Sequence, residues 1–335
     1  MHTQESLIHL TYQASAAIWV FVAITTVIFF MRTYSRLFLS KDPINWDDFI
    51  ISLSWPLMVV LAVSYQIALS TARKSTASEL PGTYPTPVFW ALFTDAWAFL
   101  SICIPKLGVA LLLSRMLRPK RWLKITMITY CIVLVILAIV GFIITFTQCD
   151  PVAGQWNPWK YPEVKCWSRN IQLEYAITVS AMSALTDLAF SIYPGVVIWN
   201  LNMATWKRVN AVALMSLGFI SFAFAIRKLY SNTTLLGNPD IITLLFDAIQ
   251  IGIWNNIENA FVLSAACLPA VPPVFRVFRN AVKTHVSSLS GSHKEETETA
   301  GTELTSNSRR ITLKEEFKVS SERQVSRERR PAEFV

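Results

Sequence analysis

The sequence predicts an all-α protein, a bundle of seven transmembrane helices with its N-terminus outside the membrane and a disordered cytoplasmic C-terminal tail. Three observations carry that expectation. The 335 residues are 53% hydrophobic and only 16% charged, with 12 Trp, a balance that water-soluble domains do not show. Seven runs rich enough in apolar residues to cross a bilayer follow one another at roughly 14–38, 48–70, 88–114, 125–147, 173–199, 208–229 and 241–270. Residues 280–335 then change character, with ten Lys or Arg, nine Asp or Glu, many Ser and Thr and almost no large apolar side chains, too little apolar surface to fold. The expected organisation is an extracellular or lumenal N-terminus at 1–13, a helical domain at 14–279 and the tail at 280–335.

The first run has no basic residue before it and Arg32, Arg36 and Lys41 after it, the pattern of a signal anchor with its N-terminus outside. Under that topology thirteen Lys and Arg fall on the cytoplasmic side and seven, including Arg227 and Lys228, on the other. The second run opens with Asn45-Trp46-Asp47-Asp48, an acidic pair suited to the positive end of a helix. A magnesium–diphosphate reading of that pair finds no second acidic cluster to support it. The third run holds Asp95, Pro105 and Lys106, whereas the fourth carries no charge after Lys124 and is expected to face lipid. Cys149 and Cys166 lie in the fourth connection, on the outer side where oxidation is permitted. Their disulfide is expected in preference to two free thiols and is worth about 3 kcal/mol. Cys103, Cys131 and Cys267 fall within spans as small packing residues. The same connection carries Trp156 and Trp159, suited equally to a lid and to an interfacial anchor.

The fifth run places Asp187 near the bilayer centre with no obvious basic partner. Desolvation favours the protonated form of such a group, which makes Asp187 a candidate for proton chemistry. Asn232-Thr233-Thr234, expected in the sixth connection, is a glycosylation sequon. In the seventh run, Asp247, Gln250, Trp254 and Glu258 share one helical stripe, about 16 Å long at 1.5 Å per residue. By the same rise, Lys106 and Glu258 lie about 7 and 5 Å to the cytoplasmic side of their span centres, and Asp95 and Asp247 about 9 and 12 Å to the outer side. Charges in lipid are retained when paired. The depths therefore pair Lys106 with Glu258, and Arg227 with Asp247 or Asp95, as ligand-site groups or as locks on the bundle. Pro56, Pro105 and Pro194 interrupt three runs, a position tolerated in membrane helices and common beside cavities.

Several trades are excluded. All four His lie outside the spans, which tells against transmembrane haem and His-ligated zinc. The seventh run has no Lys for a retinal Schiff base, no Gly-rich phosphate loop occurs, and neither a cofactor, a metal nor a nucleic-acid partner is expected. In the tail, Arg309-Arg310-Ile311-Thr312 suits a basic-directed kinase, and residues 311–319, ITLKEEFKV, suit a cytoplasmic partner.

The ordered set of WDD at 46–48, KLGVALLLSRM at 106–116, CDPVAGQW at 149–156 with Cys166 following, DLAFSIYPGVVIWNLNM from 187, Arg227, and IWNNIENAFVLSAACLPAVPP from 253 resembles the fungal rhodopsin-domain integral membrane family, which includes satratoxin-cluster membrane proteins. The resemblance covers about residues 15–280. It implies a seven-helix membrane protein of a filamentous fungus, often encoded beside secondary-metabolite enzymes, with Asp187, Arg227 and Glu258 as parts of the family pattern. Asp-Arg-Tyr after the third run and Asn-Pro-x-x-Tyr in the seventh are missing, which tells against G-protein coupling. Two functions remain. One is a receptor-like or accessory protein that binds a lipophilic small molecule between the helices, with Asp95, Lys106, Arg227, Asp247, Trp254 and Glu258 as the ligand or ion-pair network. The other is a metal-free intramembrane cyclase or isomerase of a terpenoid or polyketide, with Asp187 or Glu258 as the acid and Trp side chains stabilising a cation. A Glu258 held by Lys106 is ionised and a poor acid, which favours the first.

Overall fold

Cys131, Leu134, Ala138, Gly141 and Thr145 are the buried residues of the fourth helix, spaced alternately by three and four, and Ile132, Val133, Ile136, Ile139, Val140 and Ile143 between them are exposed. A helix that turns a narrow seam inward and an aliphatic face outward is built for lipid. The computed structural model describes residues 4–39, 43, 45–77, 85–117, 119–157, 159–200, 205–237 and 241–270. The tail, its kinase-like motif and the 311–319 segment lie outside the described residues.

The seven helices are α1 (Gln4–Tyr34), continued by a π-helical turn over Ser35–Leu39, α2 (Trp46–Ala77), α3 (Pro85–Leu117), α4 (Arg121–Thr147), α5 (Arg169–Asn200), α6 (Thr205–Gly237) and α7 (Ile241–Cys267). They outrun the apolar runs that predict them: α1 starts at Gln4 and α6 continues to Gly237. The residues by which α1 and α6 outlast their apolar runs hold no proline to break the ladder. Pro56, Pro105 and Pro194 sit inside α2, α3 and α5 without ending them.

Among the described residues, α1 to α6 are each long and apolar enough to cross a membrane. Helix α7 differs because Asn255, Asn256, Glu258 and Asn259 are all buried in its middle. It packs against α1, α2, α3 and α6, so these polar groups meet protein and not lipid. Gly252 permits the closest approach, since the Tyr65 ring of α2 occupies the space where a Cβ would stand. The Tyr65 hydroxyl donates to the Ile249 carbonyl at 2.6 Å. On the far side Tyr175 and Tyr130 clasp α4 to α5, donating to the carbonyls of Leu137 at 2.6 Å and Met182 at 3.1 Å.

At the end of the bundle where α2 begins, Asp47 and Asp48 do more than start a helix. Arg32 is buried and donates to Asp48 at 2.8 Å and to the Ala266 carbonyl at 2.6 Å, satisfying an acceptor in the last turn of α7. Arg36 grips both oxygens of Asp48 at 2.9 and 2.8 Å. Asp47 stands 3.7 Å from Arg36 and from Arg115 of α3. The acidic pair thereby ties α1, α2, α3 and α7 together through arginines, the opposite of the cation site a magnesium reading requires.

Between α4 and α5 the chain is stapled by the Cys149–Cys166 disulfide. Two short strands, β1 (Cys149–Asp150) and β2 (Lys165–Cys166), pair antiparallel around it, and a 3-10 turn spans Val152–Gln155. The tryptophans of this connection divide into one that packs on the bundle and two that are exposed. Trp156 packs edge-on against Phe89 in the first turns of α3, with ring centroids 5.2 Å apart, while Trp159 and Trp167 are exposed.

Candidate functional site

Among the described residues the most deeply buried cation is Lys106 of α3, which is fully enclosed. Its ammonium lies 2.9 Å from Asp187 of α5 and 3.2 Å from Glu258 of α7. It also donates to the Ser183 hydroxyl at 2.6 Å and carbonyl at 3.0 Å. The other oxygen of Glu258 accepts from Lys228 of α6, and the second oxygen of Asp187 accepts from Ser221 at 3.1 Å. Four helices therefore meet at two cations and two carboxylates, a neutral set in which the buried charges are paired and hydrogen-bonded.

The depth match of Lys106 with Glu258 holds, and three other expectations do not. Asp187 has a basic partner after all, Lys106, so it is not a lone carboxyl. Arg227 pairs with neither Asp247 nor Asp95: it is exposed, with its guanidinium over the Tyr230 ring at 5.3 Å from the centroid. The inward cation is its neighbour Lys228, because one residue turns a helix by 100° while raising it only 1.5 Å. Asn232 is not in a connection but inside α6, 5% exposed, where the packed bundle leaves no room for a glycan, and the sequon is not read as a glycan site.

The polar stripe of α7 turns toward α6. Asp247 accepts from the Thr234 hydroxyl at 3.2 Å, Trp254 stacks on Phe224 at 5.5 Å, and Glu258 holds Lys228. Trp254 thus belongs to helix packing. Three polar residues off that stripe were missed by the sequence reading. Asn259 donates to the Ser101 hydroxyl of α3, Asn256 bonds its own helix at the Gly252 carbonyl, and Asn255 faces a cavity.

That cavity, of about 250 Å³, lies between α3, α5, α6 and α7, with Ser183 and Lys228 of the ion network in its wall. Most of the lining is apolar, including Leu92, Phe99, Ile102, Leu173, Val179 and Ile251. Asp95 is on the wall, as are Gln172 and Asn232. Gln172 of α5 also reaches the Thr145 hydroxyl of α4 at 3.5 Å. The Thr145 carbonyl accepts from Gln155 of the disulfide-stapled loop at 3.0 Å, so that loop borders the Gln172 end of the cavity. None of the three in-helix prolines lines it. Among the described residues no group of three His, Cys, Asp or Glu side chains is placed to hold a metal ion.

A family profile described as the fungal rhodopsin domain matches residues 31–277. The chain is also similar to Fugralins biosynthesis cluster protein 2 of Gibberella zeae, with 22% identity over 271 residues, covering 77% of this chain and 64% of that relative's length. No solved structure matches the chain.

Proposed function

Since this chain belongs to the fungal rhodopsin domain family and is a multi-pass membrane protein, we propose that it binds a lipophilic small molecule in the cavity between α3, α5, α6 and α7, as a receptor-like or accessory protein of a secondary-metabolite pathway. One observation carries the reading: a cavity of about 250 Å³ with mostly apolar walls borders a charge-neutral ion network. Small-molecule sites combine apolar walls with a few fixed polar groups in this way. The link to a pathway leans on the similarity to a biosynthesis cluster protein.

A metal-free cyclase or isomerase needs a carboxyl that can release a proton to its substrate. Asp187 and Glu258 are each held by a lysine ammonium group, and neither lines this cavity, so neither is placed to hand a proton to a molecule bound there. Binding is therefore the better reading. Filling the cavity tests it. Ala176→Phe, on the α5 wall, is expected to weaken retention of metabolites from a producing culture about tenfold or more, equal to about 1.4 kcal/mol, when they are captured on purified protein and identified by mass spectrometry. Consumption of a captured metabolite with release of an isomer would favour the enzyme instead. Equal retention by the wild type and Ala176→Phe would exclude this cavity as the site.

For orientation, we take the disulfide loop to lie on the non-cytoplasmic side and the tail to meet a cytoplasmic partner. Moving Lys228 into the bundle leaves the basic bias at thirteen to six, still in that direction. Cys149→Ser frees Cys166, which is exposed, while Cys103, Cys131 and Cys267 are buried. A membrane-impermeant maleimide is expected to label Cys149→Ser, and not wild type, on intact cells, and stability should fall by about 3 kcal/mol. Labelling only after lysis would reverse the orientation.

A further inference from the structure

The charges in the middle of the bundle balance, with Lys106 and Lys228 facing Asp187 and Glu258. Asp95 stands apart from that balance. It lies on the same helix as Lys106, eleven residues earlier and about 16 Å away along the axis, and its side chain is exposed within the cavity wall. Among the described residues no cation pairs with it and no donor bonds it. The other polar side chains in the wall, Gln172, Ser180, Ser183, Asn232 and Asn255, are neutral, and Lys228 is committed to Glu258. A carboxylate inside a membrane-spanning helix is costly and normally has a partner. Here the fold supplies every other part of a binding site and leaves one negative charge unanswered.

We propose that the cavity takes an apolar molecule bearing a protonated amine, and that Asp95 is its counter-ion. The proposal rests on the cavity being the binding site and adds the chemical class of the occupant. An ammonium N–H donates to the Asp95 carboxylate, a charge-assisted bond, while the apolar body fills the space walled by Leu92, Phe99, Leu173 and Ile251. The same geometry discriminates against other ligands. An acid of the same shape would set two negative charges together, and a neutral alcohol would strip water from the carboxylate without replacing its counter-charge.

The test uses three probes with one apolar body: adamantylmethylamine, adamantylmethanol and adamantane carboxylic acid. They are titrated at neutral pH against the full chain in lipid nanodiscs, with affinity read by calorimetry and by melting temperature. The amine is expected to bind best. Asp95→Asn should weaken it about tenfold or more, while Asp95→Glu keeps it within a few-fold. The unliganded Asp95→Asn protein should melt no lower than wild type, since an unpaired charge has been removed. Ala176→Phe, and Ala248→Phe from the α7 wall, should each abolish binding. If the alcohol binds as tightly as the amine and Asp95→Asn changes neither, while the wall variants abolish both, the cavity reading stands and the charge proposal is wrong. If no probe binds, or if bound probes ignore both wall variants, the cavity reading fails and the proposal fails with it.

Discussion

Glu258→Gln is expected to destabilise the protein by about 3–5 kcal/mol, the usual loss when one partner of a buried ion pair is removed. Both oxygens of Glu258 are in use, one with Lys106 at 3.2 Å and with Ser183 at 3.2 Å, the other with Lys228. Glutamine replaces one of them with an amide donor that faces an ammonium group, and removes the countercharge of two lysines at once. Lys106→Met should cost a similar amount, because Asp187 and Glu258 both lose their shared cation. A simple pair would recover in the Lys106→Met, Glu258→Gln double variant. This network should not, since the double variant strands Asp187 on α5 and Lys228 on α6. Recovery should require neutralising all four, with Asp187→Asn and Lys228→Met added. Thermal melting in detergent across these variants reads the outcome directly. Full recovery in the double variant would show that Asp187 and Lys228 depend little on the other two. A Glu258→Gln protein that melts like wild type but has lost a product would restore the catalytic acid.

Much of this was legible along the chain and little of it around the helices. Hydropathy located seven helices, and depth arithmetic matched Lys106 with Glu258, because rise along a helix is fixed at about 1.5 Å per residue. Rotation is a different quantity. Arg227 and Lys228 differ by one residue in depth but by 100° in direction, and depth selected the wrong one. The structure shows why: Ser221, Ala225, Lys228 and Asn232 are buried at spacings of four, three and four, one seam of a packed helix. Asp187 has no basic neighbour in the sequence because its cation lies 81 residues earlier on another helix, and the sequence puts Asn232 in a connection because α6 outlasts its apolar run. The cavity itself depends on the mutual rotation of four helices, which no single segment encodes.

Asp48→Asn separates two meanings of the same short motif. If the WDD segment only starts α2, asparagine serves as well as aspartate, since both are favoured helix N-terminal residues, and stability should scarcely change. The ion cluster predicts otherwise. Arg32, Arg36 and Arg115 face Asp47 and Asp48, three positive charges against two negative. Asp48 carries the closest contacts, at 2.8–2.9 Å to Arg32 and Arg36, and Asn45 N–H donates to it at 3.4 Å. Arg32 is 3% exposed and tied to the Ala266 carbonyl, so it cannot turn to water when its carboxylate is removed. Arg36 and Arg115 are partly exposed and can. The expected loss is therefore about 3 kcal/mol, the lower end for a broken buried pair. Asp47→Asn, whose contacts are 3.7 Å, should lose about 1 kcal/mol or less, within the range of weakly coupled pairs. Adding Arg32→Met to Asp48→Asn should recover part of the deficit, because the stranded cation goes with it. Equal melting temperatures for the Asp47 and Asp48 variants would mean that the helix start, and not the arginine cluster, is what this motif supplies.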